Sequence, residues 1–443
     1  METSKILSLL LTLLSISFLS PAYGKDFDVD GSLSQRYRLR TTGGFSDNDM
    51  ETMLTLNARS ASDKFEGFLQ MSGLYDLDAN PPNTPFVSVT DSFGGRAAAR
   101  LYYAYMDIKD TGPFQVVRTG RQHRYEFESL YFDGIDFETK SKNGFTFGAY
   151  SGVPVHLYET PFGFDPGDWL IGTAVTWTPV SNFQARGDFV HLKDKLTGFR
   201  AAAGDLEDNL FGLETWWDVT KRISLETQFT SFSDQLRDVT SRLTYNWVEK
   251  TLAVNLNFYR LLTGTSIRVI DADPYGSVGG YNPYTEAGLD VSKGIGKHFF
   301  VDGGGAFRFL DQNQVASAFN HGYSRFFLSG STLDFPIDGM SLSTTLDYYK
   351  GRDNVLQNDN FGLSFDVTQK FKKGKSKLSL GTSYSLYHYN LFTGNESDNV
   401  QTYYVRVKSK ITKHLENQLG YNFEHNRFNS FHRLDWRLTW SFE

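Results

Sequence analysis

Histidine is the side chain best suited to catalysis at neutral pH, and this 443-residue chain has nine, with no spacing that gathers them into one site. His123 lies close in sequence to Glu126, Glu128 and Ser129, a set that could supply a general base and a hydroxyl nucleophile. No strand–turn–helix elbow frames that serine, so the cluster reads as a polar loop or wall. His156, His191, His298, His321, His388, His414, His425 and His432 are scattered and form no i, i+4 ligand pair. Asp271, Asp273 and Asp311 could meet a divalent ion, but they fall in polar, loop-like sequence where solvated carboxylates are ordinary. Gly279-Gly280 and Gly303-Gly304-Gly305 precede no helix whose N-terminus could hold a phosphate, and they read as a loop and a strand kink. Cysteine is absent, which removes disulfides, thiolate metal ligands and covalent c-type haem attachment. The expectation is a chain with no catalytic residue, no metal site and no cofactor, and not an enzyme.

What the chain does have is charge at every second position. In 433–442, Arg433, Asp435, Arg437, Thr439 and Ser441 alternate with Leu434, Trp436, Leu438, Trp440 and Phe442. Arg406, Lys408 and Lys410 oppose Tyr403, Val405, Val407 and Ile411; Arg36, Arg38 and Arg40 oppose Val29, Leu33, Tyr37 and Leu39. The same split runs through 415–424, 360–371 and 252–259, and Glu226 and Gln228 oppose Ile223, Leu225 and Phe229. Period-two alternation over about ten residues is the mark of a transmembrane strand, with the apolar face toward lipid and the charges toward a wet interior. The residues expected to line that interior are Arg36, Arg38, Arg40, Arg118, Arg121, Glu214, Asp218, Glu226, Arg406, Lys408, Lys410, Arg433 and Arg437. On this reading the arginines and lysines form a basic stripe near the closing seam, and Glu214, Asp218 and Glu226 stand on an opposing wall.

Composition agrees. Phe (38), Tyr (24) and Gly (40) are abundant and Pro (12) is scarce, which suits strands and turns. The net charge of −7 comes from interleaved acids and bases, with no basic block of the kind nucleic acid requires. Residues 1–24 differ from the rest. Lys5 precedes an apolar run from Ile6 to Leu19, and Ala22-Tyr23-Gly24 is a small-residue cleavage site. This reads as a secretory signal peptide, leaving 25–443 as one domain. No later stretch is apolar for long enough to cross a membrane as a helix, so a crossing must be made by strands.

Short turn-like connections, such as Ser62-Asp63-Lys64, Asp110-Thr111-Gly112-Pro113 and Lys372-Lys373-Gly374, alternate with longer polar segments at 78–95, 153–167, 193–206, 264–283 and 311–322. Short periplasmic turns and long extracellular loops are the pattern of outer-membrane barrels. The fold expected is all-β: a transmembrane antiparallel up-and-down β-barrel of about 22 strands (18 to 24) in the outer membrane of a Gram-negative bacterium. Clustered aromatics at Tyr102-Tyr103, Trp216-Trp217, Trp247, Tyr348-Tyr349 and Tyr403-Tyr404 are expected in interfacial girdles. Phe326-Phe327 fits the alternation poorly, and the opposite parity of Arg118 and Arg121 around Gly120 predicts a bulge.

Arg118-Thr119-Gly120-Arg121-Gln122, followed by Phe132-Asp133-Gly134-Ile135, resembles the pattern in alginate-export-type and related large bacterial outer-membrane porins. The general style also resembles the porin component of the porin–cytochrome conduits of metal-reducing bacteria. The first resemblance implies an aqueous channel for ions or small polar solutes. The second implies a barrel that sheathes multihaem cytochromes and carries no haem itself. Outer-membrane lipid is the expected surrounding, with a cytochrome or a second copy of the chain as candidate partners and no nucleic acid. The chain ends Trp440-Ser441-Phe442-Glu443, so its last aromatic is penultimate, whereas such barrels commonly end on one.

Overall fold

The computed structural model describes residues 27–78, 96–125, 129–155, 167–195, 206–233, 235–263, 282–311, 322–352, 360–390, 395–426 and 429–442. Residues 1–24, read above as a signal peptide, lie outside them, as do Glu126, Glu128, His156, His321, Asp271, Asp273 and Gly279-Gly280. The chain forms β1 (Phe27–Thr42), β2 (Phe45–Ser60), β3 (Phe65–Asp76), β4 (Ala97–Thr111), β5 (Phe114–Tyr125), β6 (Ser129–Thr139), β7 (Phe145–Pro154), β8 (Trp169–Val180), β9 (Phe183–Asp194), β10 (Leu206–Thr220) and β11 (Ile223–Phe232). It continues through β12 (Gln235–Trp247), β13 (Leu252–Leu261), β14 (Tyr284–Ile295), β15 (Phe299–Leu310), β16 (Tyr323–Thr332), β17 (Met340–Gly351), β18 (Asn360–Phe371), β19 (Ser376–Asn390), β20 (Asn395–Lys410), β21 (Leu415–His425) and β22 (Ser430–Phe442). Every strand is antiparallel to the next, and β1 also pairs with β22 from Gly31↔Phe442 to Thr41↔His432. That last ladder closes the sheet into a 22-stranded barrel, in which no edge is left unpaired.

The faces follow from curvature. On a closed sheet, side chains diverge on the convex side and converge on the concave side. Ile171, Phe189, Leu256, Leu328, Tyr403 and Trp436 stand between 39% and 55% exposed, whereas the intervening charged residues are mostly less so. The apolar set is therefore outside. A continuous exposed belt of this kind is tolerated only where lipid is the solvent.

Connections at the end where β1 begins and β22 stops run from two to seven residues. At the opposite end they range from two to 22, and five of them (after β1, β5, β11, β19 and β21) are as short as turns. The length asymmetry is thus carried by the remaining six loops. We refer to the two ends as the turn end and the loop end.

Three local expectations are corrected. Register runs unbroken from Val116 to Tyr125 against β6, so there is no bulge at Gly120; a φ of +115° turns the chain there instead. Register also passes straight through Gly303-Gly304-Gly305, which are no kink. They are a bed: Phe327 lies opposite Gly304 on the inner face and Phe326 opposite Gly305 on the outer, which is how adjacent aromatics fit on both faces. Finally, consecutive residues in regular register point to opposite faces, so the pairs Tyr348-Tyr349 and Tyr403-Tyr404 each give the outer belt one ring, while Tyr102-Tyr103 straddles a register shift and gives it none that is exposed. Tyr403 and Tyr348 point out, while Tyr404 hydrogen-bonds inner-face Asp366 and Tyr349 packs at a tilt against Tyr323, ring centroids 4.9 Å apart.

Gly381 makes another close ring–glycine contact, because a Cβ there would come within 2.3 Å of the Tyr404 ring. Gly381→Val is expected to cost about 1–3 kcal/mol by overpacking. A lower temperature for loss of the compact, fast-migrating form on gels would register it.

Candidate functional site

The inner wall is the candidate site, and its charges are sorted by arc. At the seam, β1 and β22 set Arg36 opposite Arg437, Arg38 opposite Asp435, and Arg40 opposite Arg433. Strand β2 then sets Glu51, Asp49 and Asp47 against the same three arginines of β1. Arg36 donates to Asp435 at 2.7 and 3.0 Å, Arg38 lies 3.6 Å from Asp435, Arg40 pairs with Asp47 and Asp49, and Arg433 pairs with Asp435. The β1–β22 part of the expected basic stripe is therefore an ion-pair network around the seam, and among the described residues Arg437 is the one of its five arginines with no carboxylate in salt-bridge reach. Sequence reasoning missed this because Asp47, Asp49 and Glu51 become its partners only through the β1–β2 register.

A second arc, β4 to β9, is paired residue by residue. Arg118 grips Asp107 through two bonds of 2.7 and 2.8 Å, Arg186 grips Asp188 at 2.7 and 3.0 Å, and Arg124 reaches Asp136 at 2.6 Å while stacking on Tyr150. The motif at 118–122 and 132–135 proves to be a single cross-strand unit. Gly120 faces Gly134, Arg121 faces Asp133, and Gln122 faces Phe132. Arg121 holds Asp133 by two bonds of 2.8 and 2.7 Å and donates to the Leu101 carbonyl, with its own side chain 3% exposed. Leu130, Tyr131 and Phe132 are all buried, so both faces of β6 are covered near the loop end.

Next to this unit lies a feature the alternation did not reveal. Phe132, Tyr150, Leu170, Val190, Leu192 and Leu210 form a buried apolar cluster, joined by Phe232. Leu170, Val190 and Leu210 share the inner parity, since their neighbours Ile171, Phe189 and Phe211 are the exposed ones. Inner-wall residues that meet no solvent cannot border open water, so the loop end of this arc is filled. The available signal was a run of consecutive apolar residues, as in Trp169-Leu170-Ile171, where one-sided strands would alternate.

The third arc differs. Among the described residues, Arg406, Lys410 and Arg437 on β20 and β22 have no carboxylate within salt-bridge distance, and all three are exposed. Lys408 beside them is held by Glu416 at 2.7 Å. Among the described residues, Asp290 and Asp302 on β14 and β15 form no salt bridge, although Asp290 lies near enough to Arg325 to feel its charge; they accept bonds from Asn257 and Ser329 at 3.1 and 3.4 Å. On the wall half-way round from the seam, Glu226 lies 3.7 Å from Arg242, Glu214 stands in register with Arg186, and Asp218 sits at the turn end of β10. Of the loop carboxylates, Asp311 is engaged by Arg260 at 2.7 and 2.8 Å. His123 packs beside Tyr131 at 5.9 Å.

No family model matches the sequence, and no curated protein matches it. Solved structures that are similar include OccK5 (OpdH) of Pseudomonas aeruginosa, 11% identical, with 94% of this chain and 99% of that one covered at a TM-score of 0.44. A BenF-like porin from Pseudomonas fluorescens Pf-5 is also 11% identical over 94% and 99%, with a TM-score of 0.45. The translocation pore of the P pilus usher PapC is 8% identical over 94% and 100%, at 0.49. These likenesses concern barrel architecture only.

Proposed function

We propose that the barrel is an outer-membrane channel passing ions or small polar solutes, with the turn end in the periplasm. The observation that carries this reading is the unpaired charge on the third arc. Water-exposed cations with no partner are costly in a sealed interior and cheap beside an aqueous path. Barrels of 16 to 18 strands already enclose such a path, and this ring is wider. Filling of the inner wall at the loop end of β6 to β10 displaces the path toward β12–β22. There β20 and β22 bear Arg406, Lys410 and Arg437, and β14 and β15 bear Asp290 and Asp302, so a field runs between the two stretches of wall. Solutes with separated charges would be oriented by it, and small anions would follow the basic wall.

Purified protein in planar bilayers is expected to give a steady open conductance, with no haem absorbance in the preparation. A haem-loaded, non-conducting complex isolated from the native membrane would overturn the channel reading in favour of a barrel that sheathes a cytochrome.

A further inference from the structure

The turn-end mouth holds a second concentration of charge that general ion passage does not require. Residues 370–377 and 406–416 carry nine lysines and arginines and a single carboxylate, Glu416. The folded register brings them together. Lys370 of β18 stands directly opposite Lys377 of β19, and Lys377 opposite Lys408 of β20. The amide of Lys410 bonds the carbonyl of Lys375, so the β18–β19 turn abuts the end of β20. Adjacent strands lie about 4.8 Å apart, so three ammonium-bearing stems share one face at that interval.

Like charges placed directly opposite destabilise a sheet, and here the placement recurs across two successive ladders. At three other places on this rim a base has an acid beside it: Lys140 is beside Asp110 at 3.5 Å, Arg59 beside Asp63 at 3.7 Å, and Arg222 beside Glu249 at 3.4 Å. Nor do these lysines serve the lipid headgroups. Their parity is that of Asp366 and Arg406, while Val407 and Leu380 on the other parity are the exposed apolar residues of the belt.

We propose that Lys370, Lys377, Lys408 and Lys410 form a polyanion-binding site at the turn-end mouth, for a solute or chain bearing several adjacent phosphate groups. The site rests on the channel reading for its access, since its lysines face the lumen. Lysine suits reversible capture of such a ligand. Each ammonium is a hydrated point charge that meets a phosphate oxygen without the fixed fork of arginine, so a ligand can be held and released. Glu416 neutralises one of the four and sets the upper limit on the site's charge.

The test uses inorganic tripolyphosphate and single channels of the whole protein. Added on the turn-end side at about 0.1 M salt, it is expected to block current, and the block should weaken steeply toward 1 M salt as the Debye length falls. Lys377→Gln with Lys408→Gln should raise the half-blocking concentration about tenfold, Glu416→Gln should lower it, and Lys140→Gln on the same rim should leave it unchanged. Equal block from both sides, or equal block in all variants, would overturn the site. If the protein does not conduct, the channel reading fails separately, and calorimetric titration of tripolyphosphate into detergent-folded protein decides the site: salt-sensitive binding lost in the double variant supports it, and absence of binding refutes it.

Discussion

Replacing Arg406 and Arg437 together by glutamate is expected to move the reversal potential across a tenfold KCl gradient toward cation selectivity by about 10 mV or more, within the roughly 59 mV limit for a monovalent ion. Each position passes from +1 to −1 on a wall where, among the described residues, it now has no carboxylate within salt-bridge distance. The substitutions break no salt bridge. Arg437 stands opposite Arg36 across the seam, so a glutamate there would gain a partner where a like charge stands now. Arg406 gives up its stacking on Tyr404, 4.5 Å away, worth about 0.5–1 kcal/mol at an exposed site. A variant that folds and keeps the wild-type reversal potential would show that the ion path runs elsewhere.

The largest stability effect is expected at Arg121 and Asp133. Asp133→Leu leaves a buried guanidinium with only the Leu101 carbonyl from the set of bonds described above. Breaking one side of a buried pair costs about 3–5 kcal/mol, and the lower end applies because Asp133 itself is partly exposed. The double variant Arg121→Met, Asp133→Leu removes both charges and should recover most of the loss. Urea midpoints for the four members of the cycle would measure this coupling. A double variant no better than Asp133→Leu alone would mean that the pair is not the source of the cost.

The two results probe opposite designs on one wall. Around β5 and β6 each guanidinium is locked to a carboxylate, which holds a covered region in one arrangement. At Arg406, Lys410 and Arg437, among the described residues, charge is left without a salt bridge, which on the proposed channel reading gives the lumen its field. The double cycle therefore reads chiefly in stability, and the glutamate pair chiefly in current.

Fold class was legible because its cause is local. A strand between lipid and water must alternate, and the alternation of 433–442 or 402–411 is written in consecutive residues. The tally of about 22 strands meets the observed ring for the same reason, since turns such as Pro179-Val180-Ser181-Asn182 punctuate the chain wherever a strand ends. Girdle positions were only half legible. Tyr403-Tyr404 is a pair in sequence, but the pleat sends one ring to the lipid and the other over Gly381.

The site was less legible. Which residues carry charge toward the interior follows from parity, and Arg36, Arg38, Arg40, Arg406, Lys408, Lys410, Arg433 and Arg437 all stand on the polar face of their strands. Which of them are free does not follow. Asp435 meets Arg36 across a separation of 399 residues, through a ladder that exists only once the barrel closes. Likewise Gly120, Arg121 and Gln122 found Gly134, Asp133 and Phe132 through register, and Lys370, Lys377 and Lys408 became a row only when three strands aligned. Alternation and turns, set by each residue and its immediate neighbours, determined that the chain is a membrane barrel with a charged interior. Register and closure, which depend on every strand at once, decided where that charge is cancelled and where it is left to act.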